Sequence, residues 1–359
     1  MNILIKENDI EVLYPLTITR AAFDINVGGY TLYNIIREFF PDAKINFKVR
    51  DIVKEITEEK YSNQTIDDNK DNTIIVDARA VPCIENMKKL EKGLELDLIE
   101  FPHEIVILNK KICKENLKLL SRHYGEEDEG VFVGENVEIG KHVILDTSSG
   151  PIILDDESKI SHFSYIQGPV YIGKKTKIVD HSSIKENVII GNVCKIGGEV
   201  EESVIMDYTN KQHYGFLGNS VLGSWVNLGA GTSNSDLKNT YGEITVINGK
   251  EEKIKTKEQF LGCVIGDYSK TAINTSLFTG KVIGINCVLY GMVTKNIISF
   301  VNYTNQITYS DSIFILDKAI EVQNKVFSRR NIKQNKYHKE ILKDAFKITK
   351  KSRDMSLKA

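Results

Sequence analysis

Aliphatic residues recur every six positions through the middle of the chain. The repeat opens at Val133 and Ile139, and eight successive members run from Leu154 to Ile196. A small or β-branched residue stands four positions after each of these eight. A six-residue period fits neither an α-helix, which repeats about every 3.6 residues, nor a coiled coil. It predicts short strands joined by sharp corners, three to a coil, that stack through parallel ladders into a triangular prism.

The pattern predicts a mainly β fold class, a parallel β-helix of hexapeptide repeats with a small N-terminal α/β unit and C-terminal helices. We divide the chain into an α/β unit over 1–125, a β-helix over 126–298 and a helical, basic tail over 299–359. Two interruptions of the repeat, 202–216 and 234–262, predict insertions that project from one face and build a binding site.

The first 125 residues do not follow the six-residue period. Helical spacing at Tyr30–Phe40 and Lys111–His123 predicts two helices. The apolar runs Thr73–Asp77 and Glu104–Leu108 predict buried strands, and the polar stretch Ser62–Asn72 predicts an exposed loop. These elements together indicate a small α/β unit.

Two amphipathic helices are predicted after the repeat ends, over Phe314–Arg329 and Asn335–Lys350, and we expect them to cap the open end of the prism. The segment Arg329–Ala359 carries eleven Lys or Arg residues against three acids, a net charge of about +8. Either a solvated helical face or a partner for phosphates explains this charge. Because no RNA-binding motif accompanies it, we expect no nucleic-acid partner.

The whole chain is nearly neutral, with 47 Lys and Arg against 49 Asp and Glu in 359 residues, and 41% of it is hydrophobic. This composition excludes disorder throughout. No apolar run approaches about 18 residues, and the start lacks a basic segment followed by an apolar one, so we expect no membrane partner and no secretion. Five scattered cysteines form no C-x-x-C pair, which indicates reduced thiols and a cytoplasmic location.

A column of ionisable residues is predicted on the outside of the prism. His142, His162, His181 and Glu199 fall two or three places after aliphatic positions of successive coils, where side chains point outward. The column either binds a metal ion, as in a metal-dependent lyase, or lines a subunit contact or cleft. The spacing of adjacent coils does not by itself give tetrahedral ligand geometry, and we assign no metal ligand.

The densest polar cluster runs from Asn210 to Ser220 and closes the first interruption. His213 within it is the natural general base, because an imidazole titrates near about pH 6.5 and accepts a proton from an amine or a hydroxyl.

Two motifs in this region resemble those of a known family. His213-Tyr-Gly-Phe-Leu-Gly218 and Val226-Asn-Leu-Gly-Ala-Gly-Thr232 resemble the acetyltransferase half of GlmU, the bifunctional N-acetylglucosamine-1-phosphate uridylyltransferase and glucosamine-1-phosphate N-acetyltransferase. The alternative bacterial branch of GlmU-like sugar nucleotidyltransferases is more similar still, through the segments 234–239 and 266–275. The resemblance covers roughly residues 130–330.

The resemblance implies that the β-helix is left-handed and homotrimeric, with acetyl-CoA bound between neighbouring coils. It implies acyl transfer to an amino-sugar phosphate of the glucosamine 1-phosphate type or to a nucleotide sugar, in nucleotide-sugar biosynthesis, with His213 as general base. Phe216 replaces a tyrosine that contacts the sugar phosphate in the better-known enzyme. The residues implied for the substrate site are Lys185, Phe216, Asn227, Asn234 and Lys238, and those implied for acetyl-CoA are Ala230, Ser269 and Gly291.

The N-terminal segments 13–20 and 77–82 are similar to parts of sugar-1-phosphate nucleotidyltransferases, and Arg20 is a candidate phosphate contact. The glycine-rich L-x-x-G-x-G-T-x-M loop of those enzymes is absent, so a triphosphate lacks its backbone amides. Besides acetyl transfer, two further functions therefore stay open. One is a UDP-N-acetylglucosamine pyrophosphorylase-like nucleotidyltransferase that uses Mg²⁺, and the other is a non-catalytic scaffold that binds a sugar nucleotide.

Overall fold

A computed structural model describes residues 1–61, 73–247, 252–308 and 310–357. Its centre is a parallel β-solenoid of about nine turns, which confirms the mainly β hexapeptide-repeat fold. The loop predicted at Ser62–Asn72 lies outside the described residues.

The solenoid has three walls, numbered in the order in which each coil visits them. Wall 1 consists of Gly125–Asp128, Val131–Val133, Ile152–Leu154, Val170–Ile172, Val188–Ile190, Val204–Ile205, Val221–Leu222, Cys263–Ile265 and Lys281–Ile283. Wall 2 consists of Glu138–Ile139, Lys159–Ile160, Lys177–Ile178, Lys195–Ile196, Asn210–Lys211, Lys270–Thr271, Val288–Leu289, Val301–Tyr303 and Ser312–Ile313. Wall 3 consists of Ile144–Asp146, Tyr165–Gln167, Ser183–Ile184, Glu199–Glu201, Phe216–Gly218, Ser233–Asn234, Ser276–Leu277 and Met292–Val293. The turns from wall 1 to wall 2 form the first corner, and those from wall 2 to wall 3 form the second corner.

The aliphatic residues of the repeat fill the interior of the prism. Ile160, Ile166 and Ile172 come from the three walls of one coil, and each is no more than 1% exposed. Wall 1 is also apolar on its outer face, where Ile153 and Ile189 belong to the core of the N-terminal unit. The N-terminal unit therefore packs against wall 1, which explains why this wall reads as continuous apolar runs.

The N-terminal unit is a three-stranded parallel sheet covered by helices. Its strands are Asn2–Lys6, Lys44–Lys48 and Thr73–Asp77, and its helices are Leu32–Phe39, Asp51–Tyr61, Ile84–Glu91 and Glu104–Leu120, with short 3-10 turns at Ile10–Leu13, Ala22–Asp24 and Ser121–His123. The strand predicted at Glu104–Leu108 is wrong, because this run opens the long helix. Ile105, Cys113 and Leu117 are buried along one side of that helix, and a short apolar run alone does not separate a strand from a helix.

The first interruption, 202–216, is not an insertion. It contains the wall 1 strand Val204–Ile205 and the wall 2 strand Asn210–Lys211, both paired with the preceding coil. The coil is shorter here: fifteen residues separate Ile190 from its partner Ile205. The six-residue pattern is lost because the coil shortens and because a lysine takes an aliphatic position.

The second interruption does leave the prism, after the wall 3 strand Ser233–Asn234. It carries an antiparallel hairpin of Thr245–Ile247 and Lys253–Lys255, and it returns to wall 1 at Cys263. Residues 248–251 of this segment lie outside the described part.

Both C-terminal helices are confirmed, at Leu316–Ser328 and Lys336–Ile348. Asn335 caps the second one, since its Oδ1 accepts the His338 N–H at 3.0 Å. Shorter helices span Asn305–Thr308 and Lys350–Ser356, and a buried cluster joins the C-terminal helices to the late coils and to the N-terminal unit. No helix in the described ranges is long and apolar enough to cross a membrane.

Candidate functional site

Two predicted site residues occupy equivalent places at the second corner. The wall 2 ladder runs through Asn210, Asn227, Lys270 and Val288. His213 and Ala230 each follow a member of this ladder by three residues, and parallel register places them in one column. Gly291 lies outside this column, because its corner is two residues shorter and it directly precedes the wall 3 strand.

The imidazole of His213 is exposed on this corner. Its Nε2 lies 3.5 Å from the side-chain amide of Gln212. The neighbouring Tyr214 is 67% exposed, and its hydroxyl donates to Asn274 Oδ1 at 3.3 Å. The His213 ring is thus accessible from outside the prism, as a general base that meets a substrate has to be.

Lys211 holds the backbone beneath His213, and the sequence analysis missed it. Its side chain is 2% exposed and occupies the interior position that Ile196 has in the preceding coil. The ammonium donates to three carbonyl oxygens, those of Gly197 at 2.6 Å, His213 at 2.9 Å and Gly215 at 2.7 Å. Three donors meet three acceptors, so the corner loop is tied to the coil below it.

Burial lowers the pKa of Lys211 to about 8, and the charge of Glu199 opposes this shift. The corner also needs glycine at Gly198, whose φ is +70°. A Cβ atom there would lie 2.8 Å from the Lys211 ammonium nitrogen and 2.9 Å from the Gly215 oxygen. A lysine in the aliphatic register next to consecutive glycines is the sequence signal that would have identified this arrangement.

Wall 3 carries several of the residues that the sequence predicts for substrate binding. Phe216 donates its N–H to Ser233 Oγ at 3.1 Å. The amide of Asn234 bonds both the N–H and the carbonyl of Gly218, each at 2.9 Å, so its side chain joins two coils. Lys185 is ion-paired with Glu199 at 2.5 Å and Glu201 at 3.1 Å.

An open groove of about 540 Å³ runs along wall 3 beside the second interruption. Ser233, Asn234 and Lys238 line it. Phe216 adjoins the groove, since its N–H donates to the lining residue Ser233. Lys238 donates to the carbonyl of Glu243 at 2.5 Å. Burial lowers the pKa of Lys281, and the nearby charge of Lys238 adds to this shift. Neither lysine forms an ion pair within the part of the chain that the structure describes.

Ser269, which the resemblance implies for acetyl-CoA, does not offer its hydroxyl to a ligand. This side chain is fully buried inside the prism, where its hydroxyl donates to the Gly284 carbonyl at 2.7 Å and accepts the Cys287 N–H at 3.0 Å. Small residues at this position close the interior of a coil and do not face a ligand. Asn227, by contrast, is exposed on wall 2, between Asn210 and Lys270.

Arg20 lies far from this set of residues in the fold, at the first corner. Its guanidinium pairs with Asp267 at 2.5 Å, and Thr19 donates to the same carboxylate at 2.5 Å. The segment that resembles nucleotidyltransferases therefore docks the N-terminal unit on the solenoid.

The predicted histidine column has a different composition. In the first three coils, the second-corner residues with positive φ are His142, Phe163 and His181. Their rings stack, with successive centroids 5.0 and 5.2 Å apart. His162 lies one place earlier and accepts the Lys141 N–H at 2.7 Å. The described residues contain no group of three or more His, Cys, Asp or Glu arranged to hold a metal ion.

Comparison with known proteins finds one family model and several transferase relatives. A family model described as "Sugar nucleotidyl transferase" matches residues 2–96. The chain is 36% identical over 143 residues to a "Bifunctional sugar-1-phosphate nucleotidylyltransferase/acetyltransferase" of Sulfurisphaera tokodaii, covering 39% of this chain and 35% of that protein. It is 36% identical over 157 residues to the "Uncharacterized acetyltransferase YaiX" of Escherichia coli, covering 43% of this chain and 68% of that protein.

Among solved structures, a Francisella novicida UDP-N-acetylglucosamine acyltransferase is similar, at 15% identity and a TM-score of 0.39, covering 64% of this chain and 84% of that one. The relatives are transferases by name, yet this chain spans about a third of the length of the Sulfurisphaera protein.

The repeats, the three-walled solenoid and the exposed histidine corner define a hexapeptide-repeat protein with a fused α/β unit. Within that class, the chain belongs to the same family as the acetyltransferase YaiX, and it also resembles bifunctional sugar-1-phosphate nucleotidyltransferase/acetyltransferase proteins over about a third of their length.

Proposed function

We propose that this chain transfers an acetyl group from acetyl-CoA to the amine of an amino-sugar phosphate or nucleotide sugar, with glucosamine 1-phosphate as the model substrate. The observation that carries the proposal is the position of His213: an exposed imidazole in one column with Ala230, on a corner that Lys211 holds in place. Acetyltransferase relatives support this activity.

The reaction needs one proton acceptor. The imidazole of His213 takes a proton from the sugar amine as the amine nitrogen bonds to the thioester carbonyl carbon. The carbon–sulfur bond then breaks, and the sulfur leaves as the CoA thiol with the proton returned by His213. Backbone N–H groups of the second corner are available to stabilise the charge that develops on the carbonyl oxygen.

The sugar phosphate belongs in the wall 3 groove. Lys238 lines the groove and forms no ion pair within the described residues, so a bound phosphate would offset its charge. Lys281 lies outside the groove lining, on wall 1, but close enough to Lys238 for the two charges to interact. Lys185 contributes less, because Glu199 and Glu201 already neutralise it. Phe216 opens the wall 3 strand after the second corner, and Asn227 lies on wall 2 before that corner, so the two lie on either side of it.

The test is the His213→Ala variant, assayed for CoA release from acetyl-CoA with glucosamine 1-phosphate. We expect turnover to fall at least about 100-fold, the usual scale for a lost general base. His162→Ala is the matched control, since His162 is two places after Ile160 as His213 is two places after Lys211. Equal turnover in the two variants would refute the role of His213.

A second candidate function is nucleotidyl transfer by the N-terminal unit, which the family model over residues 2–96 favours. Pyrophosphate release from a nucleoside triphosphate and a sugar 1-phosphate, with Mg²⁺ present, tests it. No release with any of the common nucleotides would remove this candidate.

A further inference from the structure

A second cavity lies away from His213, between the N-terminal unit, the first corner and the C-terminal helices. Its volume is about 600 Å³, within the range typical of small-molecule sites. Thr19 and Arg20 line it, from the segment that resembles nucleotidyltransferases, together with Trp225 and Phe327. Cavities at junctions of this kind are common ligand sites, and acyl transfer at the second corner makes no use of this one.

Aromatic rings form one side of the cavity because of the backbone at the first corner. Tyr208, Trp225 and Tyr268 occupy the same corner position in three coils, and each has a positive φ between 62° and 64°. Tyr208 and Trp225 stack at 4.2 Å with an interplanar angle of 3°. Phe327 of the C-terminal helices lies 4.6 Å from Trp225. Such a face suits the apolar side of a sugar ring or a cationic group.

One carboxylate of the cavity has no direct ion pair. Arg20 is paired with Asp267, and Lys60 is paired with Asp24 at 3.1 Å. Asp207 accepts the Asn192 N–H at 2.7 Å through Oδ1; it forms no ion pair in the described ranges, and the charge of Arg20 acts on it from a distance. With three lining carboxylates and two cations that are each ion-paired, the cavity is a poor receptor for a free anion.

We propose that this cavity binds an amino sugar, whose ammonium meets Asp207 and whose ring packs against the aromatic face of Tyr208 and Trp225. A carboxylate that faces an ammonium forms a charge-assisted hydrogen bond, and aromatic rings around the cation add to the attraction. Asn34 at the exposed mouth offers a side-chain amide to the sugar hydroxyls. The site is separate from the acetyl-transfer corner, so it goes beyond the function proposed above.

Trp225 is the single tryptophan of the chain, so its fluorescence reports directly on this cavity. The experiment titrates the full-length His213→Ala protein with glucosamine, N-acetylglucosamine and glucose, and follows the emission of Trp225. We expect glucosamine to bind at least tenfold more tightly than the other two, because only glucosamine carries an ammonium. Using the His213→Ala protein keeps the result independent of acetyl transfer.

Asp207→Asn is the decisive variant, since the amide oxygen still accepts the Asn192 N–H while the charge is lost. We expect it to abolish the preference for glucosamine and to leave the melting temperature unchanged. Asp156→Asn is the matched control: Asp156 accepts the Glu135 N–H in the same way at the same corner, outside the cavity. Equal affinity for all three sugars, a preference that survives in Asp207→Asn, no change in emission, or tighter binding of a nucleotide would each overturn the proposal.

Discussion

The ammonium of Lys211 donates a 2.9 Å hydrogen bond to the carbonyl oxygen of His213, so a charge buried in the prism supports the exposed imidazole on its surface. An ammonium in an apolar interior is costly even when its hydrogen bonds are complete, and an aliphatic residue is the rule at this position. The lysine at this position is therefore explained by what it binds. We infer that its role is to fix the conformation of the loop that carries His213.

Lys211→Met replaces the lysine by an apolar side chain of similar length. We expect kcat for acetyl transfer to fall about 10- to 100-fold with little change in KM, because the loop of His213 loses its anchor while the groove on wall 3 is untouched. Steady-state kinetics with glucosamine 1-phosphate measures this effect.

Lys195→Met is the control for that variant, since Lys195 lies in the preceding wall 2 strand, paired with Asn210. It should retain wild-type kcat. If both variants lose activity equally, the effect belongs to wall 2 in general and the anchoring role of Lys211 is wrong.

The pH dependence of stability follows from the same residue. The pKa of Lys211 is about 8 in the folded chain, below its ordinary value of 10.5. Between these two values the unfolded chain binds more protons than the folded one, so this residue makes the free energy of unfolding rise with pH. This gain in the free energy of unfolding is absent below pH 8, and at most it amounts to on the order of 3 kcal/mol.

Urea denaturation at several values between pH 7 and pH 10.5 measures this rise as a difference between wild type and Lys211→Met. Tyrosines, cysteines and Lys270, whose pKa is also lowered to about 8, titrate in both proteins and cancel. The difference should grow in favour of the wild type as pH rises through 8. A constant difference would show that Lys211 keeps its ordinary pKa.

The prism was predictable from the sequence because burial forces a strict choice at each interior position. Ile160, Ile178 and Ile196 pair in successive coils of wall 2, as their spacing predicts. Where the coil shortens to fifteen residues and Lys211 replaces the aliphatic side chain, the period is broken and the sequence wrongly predicted an insertion. The lysine could not be recognised as an interior residue from the sequence, because the three carbonyl oxygens that accept its hydrogen bonds are known only from the structure.

The site was partly predictable. The positions of corner residues such as His213 and Ala230 could be predicted, because the spacing of the two motifs along the sequence gives their register in the repeat. The position of Arg20 does not follow from local sequence, because its partner Asp267 is 247 residues away and depends on how two units dock. The hydroxyl of Ser269 was misassigned because inward and outward orientations at a corner differ by one residue.

The contact between Arg20 and Asp267 predicts a specific stability loss. Arg20→Met leaves the largely buried Asp267 without its cation, and removing one partner of a buried pair costs about 3 kcal/mol or more. Urea denaturation should show this loss. Lys174→Met breaks the exposed pair with Asp156 and should cost less than about 1 kcal/mol. Equal losses in the two variants would mean that Arg20 does not secure the docking of the N-terminal unit.

The position of Lys238 in the wall 3 groove predicts how the substrate phosphate is recognised. Lys238→Met should raise KM for glucosamine 1-phosphate about tenfold and leave kcat nearly unchanged, since it removes a charge that attracts the phosphate before and during reaction alike. For glucosamine without the phosphate, KM should be the same in the variant and the wild type. If KM rises equally for glucosamine 1-phosphate and glucosamine, Lys238 does not recognise the phosphate. The groove would then contact the sugar alone, and the phosphate would bind elsewhere.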